Sequence, residues 1–248
     1  MSEFEPTCER FIAYFDLMGF KDFVYRHSHG EVKKTIDFVC KIVKTIDSVG
    51  LEALNGKTNK APNSLSEVAV RAVVFSDSVI FISNGDTIHD AREIIFVSKY
   101  FLCKLFDKSI PVKGALAYGT FTADFEKSSF FGRPLIDAFL LAGEAHFYGA
   151  VLHNTFETYW KSIDELRRMD SVKSKPVPIK GGYITHSYID IDMEGYKALF
   201  PDVESLEVVI EKFYESVSGS TRLYVDNTKK VYSTTRGDSS ERMGLLSS

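Results

Sequence analysis

Two aspartates stand where an apolar run gives way to a turn. Asp16 ends Phe11-Ile12-Ala13-Tyr14-Phe15 and is followed by Leu17, Met18 and Gly19. Asp77 lies in Ser76-Asp77-Ser78, between a β-branched run over 68–75 and Val79-Ile80-Phe81-Ile82. A carboxylate among residues that should be buried costs desolvation unless it meets a cation or hydrogen-bond donors. Two of them on adjacent strands suit one or two divalent ions held on oxygen ligands. Such ions beside a phosphate activate an attacking oxygen and neutralise charge as a bond to phosphorus breaks. The residue types alone also fit a plainer job, because aspartate is a common turn former.

Other residues could serve the same chemistry. Gly19 and Phe20 open a helical pattern just after Asp16, and free backbone N–H groups there can receive a phosphate, although Gly19 also simply permits a turn. Arg71 stands in the apolar run that leads to Asp77. Lys113 lies in Pro111-Val112-Lys113-Gly114 and Lys180 in Ile179-Lys180-Gly181-Gly182. Each can meet phosphate or base, and each also fits an edge-strand charge. No GxxxxGK[ST] occurs, no GxGxxG follows a strand, and the six histidines form no HExxH. A GxSxG elbow is missing as well, and Ser218-Gly219-Ser220 reads as a turn.

The elements that would position these residues follow from periodicity. The opening run is a buried strand. Ile36, Val39, Cys40, Val43 and Ile46 predict a helix from about Gly30 to Ser48, then a loop from Gly50 to Ser66. A hairpin follows with Asp77 at its tip. Thr87 caps a helix that buries Ala91, Ile94, Ile95, Ser98, Phe101, Leu102 and Leu105. Pro111 starts a further strand. The order strand, helix, strand, strand, helix, strand is the split βαβ of ferredoxin-like folds, in which the strands ending at Asp16 and Asp77 lie side by side. Beyond it the sequence predicts a short hairpin over 121–131, a helix from Leu135 to His146, and a strand passing into a helix over 151–160. A linker-like break spans 171–176. A strand lies within 179–191, a helix over 206–216, and a strand or helix over 222–232. The expected fold class is therefore α+β, a ferredoxin-like βαββαβ core with a C-terminal α/β extension. We place a tail at 1–10, the main domain at 11–170, the extension at 171–233 and a second tail at 234–248.

Composition bounds the rest. The 248 residues are 44% hydrophobic and 26% charged, ordinary for a soluble globular chain. A net charge of -4 gives no basic face for nucleic acid. The three scattered cysteines suggest neither a disulfide framework nor a zinc knuckle, and fit a reducing cytosol. The acidic start is unlike a signal peptide, and no run is long enough to span a membrane. A cytoplasmic protein is expected.

Four segments together resemble class III nucleotide cyclases. Tyr14-Phe15-Asp16-Leu17-Met18-Gly19-Phe20 is similar to that family's first metal motif, and Phe75-Ser76-Asp77-Ser78-Val79 to its second. Val112-Lys113-Gly114-Ala115-Leu116-Ala117-Tyr118-Gly119 resembles the strand that follows. Phe131-Gly132-Arg133-Pro134-Leu135-Ile136-Asp137-Ala138 resembles the next glycine-to-helix segment. They occur in family order and cover roughly 11–150.

The departures are as informative. The base-reading lysine of purine cyclases falls at Val73, and its partner aspartate near Ser129. The transition-state asparagine and arginine fall near Ile136 and Leu140. The metal half of the site is kept and the purine-reading half is rewritten. That combination looks most like the pyrimidine cyclases of the bacterial Pycsar anti-phage system. The resemblance implies a homodimer with shared active sites, two divalent ions (Mn²⁺ or Mg²⁺), and conversion of UTP to cyclic UMP. It implies Asp16 and Asp77 as metal ligands, with the Leu17 carbonyl as a further one. Gly19 and Phe20 would hold terminal phosphates. We expect Arg71, and less directly Tyr25, at the base, and Lys180 or Lys113 in place of the missing charge-stabilising groups. Two alternatives stand: a cyclase making cyclic CMP or a purine product, and an inactive homologue that binds nucleotide or mediates dimerisation.

Overall fold

The computed structural model describes residues 4–54, 70–191, 193 and 203–233. Its centre is one mixed sheet, with strands β1 (Thr7–Leu17), β2 (Val70–Phe75), β3 (Ser78–Ser83), β4 (Val112–Asp124), β5 (Ser129–Gly132), β6 (Gly149–Leu152), β7 (Val172–Ile179) and β8 (Gly182–Ile189). The order is β2-β3-β1-β4-β6-β8-β7, with β5 paired to β4. The first four strands are antiparallel to their neighbours in the order 2-3-1-4, the arrangement expected for a split βαβ. β6 joins β4 in parallel.

β1 is central because nearly every residue from Arg10 to Leu17 is buried. Alternate residues face opposite ways. Phe11, Ala13, Phe15 and Leu17 enter the main core with α2 (His29–Leu54) and α3 (Ile88–Asp107). Phe15, Phe81 and Phe101 pack edge to face there, at centroid distances of 5.1 to 5.9 Å. Gly114 is required beside them. A Cβ at that position would come within 2.5 Å of both the Phe15 ring and the Tyr14 carbonyl, so only glycine lets β4 approach β1 here.

α3 begins as expected. The Thr87 hydroxyl oxygen accepts from the Asp90 N–H, and the Asp90 carboxylate accepts from the Thr87 N–H, a reciprocal capping box. On the opposite face of the sheet α4 (Arg133–Glu144) covers part of β1 and β4, through Leu135, Ala138 and Phe139. His153 caps α5 (Asn154–Ser162), which is followed by the single turn α6 (Asp164–Arg167). α7 (Leu206–Ser216) and α8 (Arg222–Ser233) close the described chain.

Two expectations are corrected and one open alternative is decided. The helix predicted to stop near Ser48 continues through Gly50 to Leu54, since one glycine costs only about 1 kcal/mol in a helix. The rest of the predicted 50–66 loop, from 55 on, lies outside the described residues. The linker-like stretch 171–176 belongs to strand β7. Its lysines and prolines suit the sheet's edge, where charges deter further pairing and a proline sacrifices no needed bond. Residues 222–232, left open between strand and helix, are helical.

Candidate active site

The β2–β3 turn and the end of β1 meet. Ser76 adopts a left-handed φ of 56°, which reverses the chain in two residues between Phe75 and Ser78. The Leu17 N–H donates to the Asp77 carbonyl at 2.9 Å, so the hairpin tip is fixed against the end of β1. The Met18 N–H donates to the Pro111 carbonyl at 2.8 Å and anchors the other side. Asp16 thereby lies between Ser78 on β3 and Lys113 on β4, its register partners.

The electrostatics are unfavourable to the protein alone. Burial raises the Asp16 pKa, the nearby Asp77 charge raises it further, and Lys113 opposes both. Burial pulls the Lys113 pKa down; Asp16 acts against that shift, whereas the Lys180 charge adds to it. Among the described residues neither Asp16 nor Asp77 accepts a hydrogen bond or closes an ion pair through its side chain. Two carboxylates with this little internal compensation suit a hard cation. A magnesium-like ion needs only one or two protein carboxylates when phosphate and water complete its shell. Among the described residues no group of three or more His, Cys, Asp or Glu residues is placed to hold a metal.

The two lysines converge on this end of the sheet. Lys180, on the β7–β8 turn, donates its backbone N–H to the Glu144 carbonyl at 2.9 Å, and its Nζ lies 3.5 Å from Glu144 Oε1. Both side chains are about half exposed, so the pair adds little stability and leaves the ammonium free to reach other anions. Gly19 has φ 75° and caps the short α1 (Phe20–Arg26) directly after the carboxylate strand. Phe20 packs against the core.

Two sequence-based candidates are not brought here. Tyr25 points to solvent from α1 and is 79% exposed. Arg71 lies four residues before the end of β2, about 13 Å up the strand. Its guanidinium stacks on Phe4 and Phe125, 4.1 and 5.0 Å from their ring centroids. The bulky cation in an apolar run is thus accommodated by aromatic faces rather than by a ligand site.

What the sequence reading missed is a groove beside the carboxylates. It encloses about 670 Å³, and Tyr14, Val73, Phe75, Ser78, Ile136 and Phe139 are among its walls. Val73 and Ile136, two of the four positions at which the sequence departs from the purine-cyclase pattern, therefore share one concave surface with Tyr14. Tyr14 is two residues before Asp16, and the alternation of β1 alone places both on one face. The groove is flanked by exposed apolar side chains: Phe75 is 78%, Ile136 60%, Phe139 54% and Leu140 59% accessible.

Comparison with known proteins bears on the fold. No protein-family model matches the sequence, and no curated protein does. Among solved structures, the catalytic core of a rhodopsin-guanylyl cyclase with converted specificity, in complex with ATPαS, superposes with a TM-score of 0.51 at 11% identity. That match covers 75% of this chain and 98% of the cyclase core. A bacterial light-regulated adenylyl cyclase matches at TM-score 0.49 and 11% identity, over 84% of this chain and 100% of the other. A class III adenylyl cyclase-like ATP-binding protein from Pseudomonas aeruginosa matches at 0.40 and 13%, over 78% and 40%. The chain has the α+β fold of a class III cyclase core, a statement that rests on the first of these together with the sheet order. No helix of the described residues is long and apolar enough to cross a membrane.

Proposed function

We propose that the protein is a nucleotide cyclase that converts a pyrimidine triphosphate, UTP in the sequence-based expectation, to its 3′,5′-cyclic monophosphate and pyrophosphate. One observation carries the reading. Asp16 and Asp77 are held close together at adjoining strand ends with little internal compensation, on a fold shared with a guanylyl cyclase core. That cyclase core was solved with a nucleoside triphosphate analogue, which supports a triphosphate as the ligand here.

Asp16 and Asp77, with the Leu17 carbonyl, would hold two divalent ions, Mg²⁺ or Mn²⁺. When bound, these supply charge neutralisation and lower the cost of an anionic ribose oxygen. The reaction forms one bond, from the ribose 3′ oxygen to the α-phosphorus. It breaks one, from the α-phosphorus to the oxygen bridging to the β-phosphate, and the hydroxyl proton leaves to solvent. Lys113 and Lys180 orient the phosphates and bear the charge of departing pyrophosphate, a role that positioned cations perform well in a partly dry site. The Gly19–Phe20 amides are further donors to the terminal phosphates. The apolar rim of Phe75, Ile136, Phe139 and Leu140 is where a second copy would pack, so that two chains share the sites. In this reading the product is a cytoplasmic signal in anti-phage defence.

Loss of the usual asparagine and arginine, at Ile136 and Leu140, favours a second reading, a nucleotide-binding homologue without turnover. Incubation of the purified protein with Mn²⁺ and each of the four ribonucleoside triphosphates separates these. Cyclic UMP or cyclic CMP supports the first reading. A purine product moves the base preference, and tight binding without product establishes the second.

A further inference from the structure

The groove beside the carboxylates is lined mostly by apolar side chains, with Tyr14, Ser78 and Ser128 as its polar members. There the Tyr14 phenol and the Ser78 hydroxyl lie 3.0 Å apart. Tyr14 comes from β1, two residues before Asp16. Ser78 follows Asp77 and is the register partner of Asp16. The Tyr14 ring is fixed edge-on against Phe139, with centroids 5.5 Å apart and planes at 78°. Small-molecule sites are commonly built this way, mostly apolar with few polar groups that set orientation.

We propose that Tyr14 and Ser78 act as one hydrogen-bonding unit that reads a polar edge of the pyrimidine ring; this rests on the cyclase reading for its ligand. Each hydroxyl has one hydrogen and two lone pairs. One O–H is used between the two oxygens, and the other remains to donate into the groove. The shared proton can lie either way, so the outward donor is Ser78 when Tyr14 donates to it, and Tyr14 when Ser78 does. Lone pairs remain to accept. The unit can therefore meet the carbonyl of uracil or the amino group of cytosine, and it anchors a pyrimidine without separating the two. A base placed here would stack against aliphatic and aromatic walls already adjacent to the phosphate-handling end.

The test compares binding of the α,β-methylene analogue of UTP with binding of inorganic tripolyphosphate, both with Mn²⁺, to the full-length protein. The wild type should bind the nucleotide analogue more tightly. Tyr14→Phe keeps the ring and its Phe139 contact, and Ser78→Ala keeps the strand. Each should lose about three- to tenfold in affinity for the nucleotide analogue, the scale of one neutral hydrogen bond, with tripolyphosphate unchanged. The α,β-methylene analogue of CTP should lose by the same factor. An unchanged ratio of nucleotide to tripolyphosphate affinity in both variants overturns the proposal, as does a wild type with no preference for the nucleotide. The expected shift in binding with no cyclic product from wild type would instead sink the cyclase reading and leave the base contact standing.

Discussion

At one end of β1, Arg10 is fully buried. Its guanidinium donates to the Ser83 carbonyl at 2.7 Å and to the carbonyls of Asn84 and Glu5, and it stacks on Phe4. At the other end, Asp16 is partly buried beside a second carboxylate, and neither side chain has a hydrogen-bonded partner among the described residues. The same strand thus carries two charges that proteins normally keep in water. Arg10 is compensated by the fold at its two terminal nitrogens, with Nε alone of the three left without a partner among the described residues. Asp16 is kept at a cost the fold alone does not offset. The contrast separates a charge that holds the structure from one that, in the proposed reading, meets a bound cation. It also tells which variants should damage stability and which should damage chemistry.

The largest effect should come from the carboxylates. Asp16→Ala or Asp77→Ala should lower turnover by roughly 10³-fold or more, the scale of losing a principal transition-state stabiliser. Melting should not fall below wild type, because an uncompensated carboxylate and not a fold-supporting contact is lost. Either variant cyclising normally would remove the metal assignment. Arg10→Leu should do the reverse. It strands the buried Ser83 carbonyl and takes the partner from the partly buried Asn84 and Glu5 carbonyls, at about 3 kcal/mol or more. That is roughly 6–12 °C in Tm for a chain of this size. Activity per folded molecule should persist below the new melting point. A calorimetric Tm within a degree of wild type would mean that Arg10 does not hold the N-terminal segment as described.

Lys113 tests the electrostatic side of the comparison. Its removal should raise KM for the triphosphate about tenfold, a charge-assisted contact being worth roughly 1.5–3 kcal/mol. It should also let the Asp16 pKa climb further, because Lys113 is the group that opposes burial and Asp77. The acid limb of the pH–rate profile should move to higher pH in Lys113→Met. An acid limb at the wild-type position would argue that Asp16 does not govern it.

A smaller effect should appear in stability against pH. The folded Asp16 pKa lies above the ordinary carboxylate value, so the folded state binds the proton more tightly than the unfolded chain. The stability this confers is complete below the ordinary value, about 4. It is lost as pH rises through the raised folded value. Asp16→Asn cannot ionise, so it should melt above wild type near neutrality, and the gap should narrow on acidification through that window. Oppositely shifted carboxylates such as Glu157 are common to both proteins and cancel in the difference. A gap that stayed constant with pH would show that Asp16 is not desolvated.

Much of this was legible because strand alternation, capping chemistry and segment order are local signals. Thr87 as a helix cap, the turn at Ser76-Asp77-Ser78 and the run into Asp16 each state their geometry within a few residues. The groove was not legible, because its walls come from β1, β2, β3 and α4, and only the sheet order brings Tyr14 opposite Val73's neighbour Ile80. β7 was misread for a similar reason. Lysine and proline within 171–176 resemble a linker until pairing with β8 shows them at an edge.

Arg71 should give the smallest effect, and it sharpens the comparison most. Sequence reading placed it at the base because nothing local explained a cation in that run. The fold supplies the explanation from far away in the chain, through Phe4 and Phe125. Arg71 therefore belongs with Arg10 at the structural end of the sheet, and it does not line the groove. Arg71→Ala should cost about 1 kcal/mol of stability, between the scales of exposed and desolvated cation–π contacts. The ratio of UTP to CTP turnover should not change, since the residue sits most of a strand length from the carboxylate pair. A shifted base preference without loss of stability would return Arg71 to the substrate. The division between a compensated end and a reactive end would then have to be redrawn around it.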